Sequence, residues 1–138
     1  MSRVYFTDRD LGKRFPDILA SAGLTVERHS DLFAADSTDE QWLHCGRNRR
    51  IALSHNLRIR YTPNELAAVI RHGVALLIVS GKVPLPDLAH NFVTSLAKIE
   101  AFLDLQEPPY IAKVYRPSAA ELKRKPTMQG VIALWYPK

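Results

Sequence analysis

Short apolar runs alternate with longer amphipathic stretches along most of this chain. Val4 to Thr7 predicts a first strand, stopped by Asp8-Arg9-Asp10. From Leu11 the spacing turns helical, with Leu11, Phe15, Ile18, Leu19 and Ala22 on one face. Gly23 is a stop signal for that helix. Leu24 to Val26 predicts a second strand, and the polar stretch Ser30 to Thr38 a loop. Ser37 or Thr38 then caps a helix from about Asp39 to Arg47, with Asp39 and Glu40 in the turn where the helix dipole favours acidic groups. Arg50 to Ser54 predicts a third strand, ending at His55-Asn56. Pro63 opens a helix with a Leu66, Val69 and Ile70 stripe, closed by Gly73. Val74 to Ser80 is almost continuously apolar, the pattern of a strand buried on both faces. Pro86 opens one more helix, on which Leu88, Phe92, Leu96, Ile99 and Leu103 keep helical spacing. Tyr110 to Tyr115 predicts a fifth strand. Pro117 to Gln129 is polar and basic and reads as an extended arm or loop, after which Val131 to Trp135 either adds an edge strand or packs on a partner.

Strands alternating with helices in this way predict an α/β fold, a mainly parallel sheet wrapped by helices, with right-handed crossovers. The chain length of 138 residues suits one domain with a core of its own, and 46% hydrophobic content is too much for a disordered chain. No apolar run approaches a membrane span, and Met1 to Asp10 lacks the apolar stretch of a signal peptide, so a soluble, cytoplasmic location is expected. Cys45 is alone, which excludes a disulfide framework and a cysteine-based zinc site within one chain.

Nineteen basic against fourteen acidic residues leave a net charge of +5. Such a field favours anionic partners, nucleic acid or an acidic protein, without choosing between them. In an open parallel sheet, ligands gather beyond the carboxyl ends of the strands. Asp8 and Asp10 follow the first strand, Asp39 and Glu40 open the helix after the second, and Ser54-His55-Asn56 follow the third. Carboxylates converging beside a basic surface are what a magnesium or manganese site for phosphodiester cleavage needs, since hard cations take oxygen ligands. The plainer alternative is that Asp8 only ends a strand and Asp39 only caps a helix. Arg9, Arg58 and Arg60 lie on the side of these acidic groups and are candidates for phosphate contacts.

The segment Phe6-Thr7-Asp8-Arg9-Asp10-Leu11-Gly12 resembles the opening of PIN-like domains of the VapC toxin type, found in bacterial toxin–antitoxin pairs. The resemblance continues through Asp31-Leu32-Phe33, Asp36 to Leu43, Leu53 to Arg60 and Val114-Tyr115-Arg116. It implies a three-layer α/β/α PIN-like domain over residues 1–116, followed by a basic C-terminal extension over residues 117–138. It also implies metal-dependent RNA cleavage with Mg2+ or Mn2+, a cognate antitoxin as partner, and a possible homodimer. Carried over, Asp8 matches the aspartate at the end of strand one, and Asp39 with Glu40 matches the acidic pair at the second helix. The acidic position after strand three reads Ser54-His55-Asn56, so Asn56 stands where a carboxylate is the pattern. Asn56 offers a carbonyl oxygen to a cation but no charge. Asp8, Asp39 and Asn56 are then the expected metal ligands, with Glu40 assisting catalysis. Asp10, Asp36 or His55 compensates for the missing charge, or else the chain binds without cutting.

Other residues are read more plainly. His29, His44, His72 and His90 are scattered and lack a helical ligand spacing. Ser54 has no base-and-orienter pair beyond His55 and is not expected to be a nucleophile. Lys123, Arg124 and Lys125 are a basic run that either touches RNA or an acidic segment or stays solvated.

Overall fold

A computed structural model describes residues 3–28, 50–55, 63–71 and 73–136 of the chain. Its strands are β1 (Val4–Thr7), β2 (Thr25–Arg28), β3 (Arg50–Ser54), β4 (Ala75–Ser80), β5 (Tyr110–Tyr115) and β6 (Val131–Tyr136). The helices are α1 (Arg14–Ser21), α2 (Pro63–Arg71), α3 (Leu85–Thr94), α4 (Leu96–Leu105) and α5 (Ala119–Arg124). The strands form one sheet in the order β2-β1-β3-β4-β5-β6, parallel throughout except for the antiparallel β6. Helices cover both faces, giving the three-layer α/β/α arrangement that the alternation predicts. The predicted helix from Asp39 to Arg47 lies outside the described residues.

Side-chain alternation along the strands sorts the core into two layers. Tyr5, Leu53, Leu77 and Ala112 face α1, α3 and α4, through Phe15, Leu19, Phe92 and Ile99. Phe6, Ala52, Leu76 and Ile111 face the other way, onto Ala68 and Val69 of α2. β4 is buried on both sides from Ala75 to Val79, as its unbroken apolar run requires. The crossovers β3-α2-β4 and β4-α3-α4-β5 step the same way along the sheet but run over opposite faces. They therefore differ in hand, and the expected uniform right-handed set is not met. Here the helix pair α3-α4 is held by its packing against α1, through Phe92 on Phe15, with ring centroids 6.4 Å apart.

Four boundaries depart from the hydrophobic pattern. A 3-10 turn, Arg9–Leu11, precedes α1, so the helix begins three residues after Leu11, and Gly12 at φ 69° makes the intervening bend. In that left-handed conformation glycine avoids the Cβ penalty other residues meet. The second strand runs Thr25–Arg28 rather than Leu24–Val26, in register with Val4–Thr7. The single helix expected from Pro86 to Leu103 is broken at Ser95. The Ser95 hydroxyl accepts the Gly130 amide at 2.7 Å, an approach that spacing along α3 and α4 cannot reveal. Finally, the stretch expected to be an arm or loop holds α5. Ser118 and Glu121 form a reciprocal capping box that starts it.

At the N-terminal end of the sheet, Tyr5 and Tyr110 are both buried. Removal from water raises both phenols from the ordinary value of 10 to about 12. The folded state binds these protons more tightly than the unfolded chain does. Their stabilising contribution is therefore fully present below pH 10 and lost as pH rises through about 12. Spectrophotometric titration is expected to show two tyrosines ionising late, together with loss of the fold. Ionisation of all five tyrosines near pH 10 in a chain that remains folded would contradict this.

Candidate active site

The sheet order reverses direction at β1, with β2 on one side of it and β3 on the other. Connections leaving β1 and β3 in opposite directions open a crevice at their carboxyl ends, where ligands of open α/β sheets bind. Asp8 sits at that crevice. Its amide donates to the Leu53 carbonyl at 2.9 Å, one residue beyond the β1 ladder, and its carbonyl accepts the Leu11 amide at 3.1 Å. Both backbone groups are thus committed, which fixes the side chain. Only 7% of Asp8 is exposed, rare for a carboxylate without a task or partners.

The 3-10 turn brings Asp10 back to the same place. Asp10 as a residue is exposed, but its carboxylate faces inward onto the end of β3. There Oδ2 of Asp10 accepts the His55 amide at 3.1 Å and lies 3.1 Å from the Ser54 hydroxyl. The same hydroxyl is 3.3 Å from Oδ2 of Asp8. One hydroxyl proton serves two carboxylates here, and Ser54, fully buried, is the bridge between them. Burial raises the pKa of the Asp10 carboxyl, while hydrogen bonds from the His55 amide and Ser54 pull the other way, as does its contact with Asp8. The His55 ring donates from Nδ1 to the Val79 carbonyl at 2.6 Å, since a carbonyl can only accept. In the neutral ring that leaves Nε2 as the acceptor.

Two carboxylates and a hydroxyl make an all-oxygen donor set of the kind hard divalent cations take, and a cation would relieve the repulsion between two charged carboxyls this close. Among the described residues there is no group of three or more His, Cys, Asp or Glu side chains placed to hold a metal ion. Of the residues expected from the sequence, Asp8 lies at this site, and Arg9 is in the adjoining 3-10 turn. Asp39, Glu40, Asn56, Arg58 and Arg60, with Asp36, lie outside the described residues. The structure brings Asp10 and His55, two of the three residues weighed as compensating for Asn56, together with Asp8 and joins them through Ser54. The Asp8-Arg9-Asp10 spacing was the readable signal for the second carboxylate, because a tight turn returns residue i+2 to the strand end. Nothing in the sequence announces the His55–Val79 bond, which depends on β3 and β4 being neighbours.

A family model described as a PIN like domain matches residues 4–81, more than half of the 138-residue chain. The match spans β1 to β4 and so includes the whole of this site. No curated protein and no solved structure matches the chain. Among the described residues, no helix is long and apolar enough to cross a membrane.

Proposed function

Since the chain belongs to the PIN-like domain family, whose fold is of the nuclease type, we infer that it is a metal-dependent endoribonuclease and serves as a VapC-type toxin with a cognate antitoxin. The observation that carries this reading is the pairing of the Asp8 and Asp10 carboxylates on one buried hydroxyl at the β1–β3 crevice. A buried acidic pair is costly unless it holds a cation or shares a proton. The chain as a whole carries a net charge of +5, suited to a polyanionic substrate.

Asp8 and Asp10 would hold Mg2+ or Mn2+, with Asp39, Glu40 and Asn56 as the further ligands and assisting groups expected from the sequence. When bound, such a cation supplies Lewis-acid polarisation of the phosphate and a more acidic water. The chain's own residues do the rest. Ser54 fixes the rotamers of both carboxylates, and the His55 amide orients Asp10. Arg9, Arg58 and Arg60 would hold the RNA backbone by charge-assisted hydrogen bonds, which position a phosphate without reading sequence.

Asn56 favours a second reading, a PIN-like module that binds RNA or a partner protein without cutting. Metal affinity rises with the number of charged ligands, so Asn56→Asp is expected to tighten Mn2+ binding about tenfold. Calorimetric titration of wild type and variant measures this. The enzymatic reading expects saturable Mn2+ binding by wild type as well. Binding by neither protein would defeat both the metal site and the place assigned to Asn56.

A further inference from the structure

A second recess lies on the same end of the sheet. Its volume is about 240 Å³, and it opens between α3 and the segment that follows β5. One wall is polar: Asp87, His90 and Thr94 of α3, with Arg116 just past β5. The other is apolar, formed by Leu122 of α5 and Met128 beyond it. Asp87 and His90 are three residues apart on a helix, so their side chains stand one above the other. Among the described residues, the side chains of Asp87, His90 and Arg116 make no hydrogen bond or ion pair with the protein. The recess thus presents an unengaged carboxylate, an imidazole and a guanidinium opposite an apolar surface.

We propose that this recess is a nucleotide subsite of the RNA track, taking a guanine base against the apolar wall and a phosphate on Arg116. The proposal rests on the reading of the β1–β3 crevice as a ribonuclease centre. Leu122 and Met128 supply apolar contact for one face of a base. Asp87 accepts, as a carboxylate must, and the guanine Watson–Crick edge offers two adjacent N–H donors that match its two oxygens. The Arg116 fork suits a phosphate. Position supports the same ligand. The His55 ring bonds to Val79 of β4, and a Cβ placed on Gly81, two residues further on, would lie 3.7 Å from the Arg116 side chain. β5 is two strands from β3, about 10 Å across the sheet, within reach of a short stretch of single-stranded RNA. The wall itself is fixed, because Asn91 donates from Nδ2 to the Tyr115 carbonyl and accepts from Ser95.

The test is calorimetric titration of the full chain with GMP and with UMP, in EDTA so that no divalent metal takes part. Saturable GMP binding is expected, weakened at least about tenfold in Arg116→Ala and in Asp87→Asn. UMP is expected to bind about tenfold more weakly than GMP, since its edge places a single N–H between two carbonyls. Asp8→Asn is expected to bind GMP as wild type does. No saturable GMP binding, equal binding of GMP and UMP, or GMP affinity unchanged in both recess variants overturns the proposal. So does loss of GMP binding in Asp8→Asn, which would put the nucleotide on the acidic pair instead. RNA cleavage by a chain that does not bind GMP removes the subsite and keeps the nuclease. GMP binding by a chain that never cuts RNA keeps the nucleotide site and removes the nuclease.

Discussion

Asp8→Asn is expected to lower the rate of RNA cleavage at least about 100-fold, the usual scale for deleting one electrostatic element of a catalytic centre. The substitution preserves shape. Among the described residues the centre holds only two carboxylates, Asp8 and Asp10, so the substitution removes one of the two. The fold is expected to survive. The Asp8 backbone is held by Leu53 and Leu11, and an asparagine oxygen still accepts from Ser54. An asparagine amide can also still donate to Asp10, so thermal stability is expected to stay close to that of wild type. A variant that melts well below wild type would mean that Asp8 serves the fold more than the chemistry.

The largest effect on stability is expected from Phe92→Ala, at about 3–5 kcal/mol. Phe92 is fully buried, edge-on to Tyr5 with ring centroids 5.6 Å apart, and it also meets Phe15. It therefore joins the first strand, α1 and α3 at one point. Its loss leaves a cavity that three elements from distant parts of the chain would have to close together. Denaturant unfolding measures the loss, and a change below about 1 kcal/mol would show that the layer repacks freely.

These two residues mark what was legible in the sequence. Phe92 belongs to a periodic stripe, and the hydrophobic pattern placed α2 and four of the five predicted strands within a residue or so of where they lie. Misplaced boundaries have tertiary causes. The break at Ser95 comes from Gly130 arriving from the far end of the chain. A Cβ at Gly130 would fall 1.9 Å from the Tyr115 carbonyl oxygen, so only glycine permits that approach. The overlooked α5 is different, since Ser118-x-x-Glu121 was a readable start signal masked by the basic residues that follow it. The difference in hand around β4 had no local signal, because direction along a sheet is not written in any single segment.

The candidate site was partly legible for the same reasons. Asp8 follows from a strand end and a resemblance. Asp10 follows from the tight Asp8-Arg9-Asp10 spacing, whereas the link of both to Ser54 follows only from β1 lying beside β3, which strand pairing decides and periodicity does not. Sheet order likewise places Arg116 at the same end of the molecule as Asp8, though the sequence keeps them more than a hundred residues apart.

The measurement that bears most directly on the central claim is cleavage of a mixed RNA pool by the full chain in Mn2+ and in EDTA, with Asp8→Asn run alongside. Cutting by wild type in Mn2+, abolished by EDTA and by the substitution, is the predicted result. Cutting that survives EDTA, or that a folded Asp8→Asn retains undiminished, would contradict the assignment of the β1–β3 crevice as the catalytic centre.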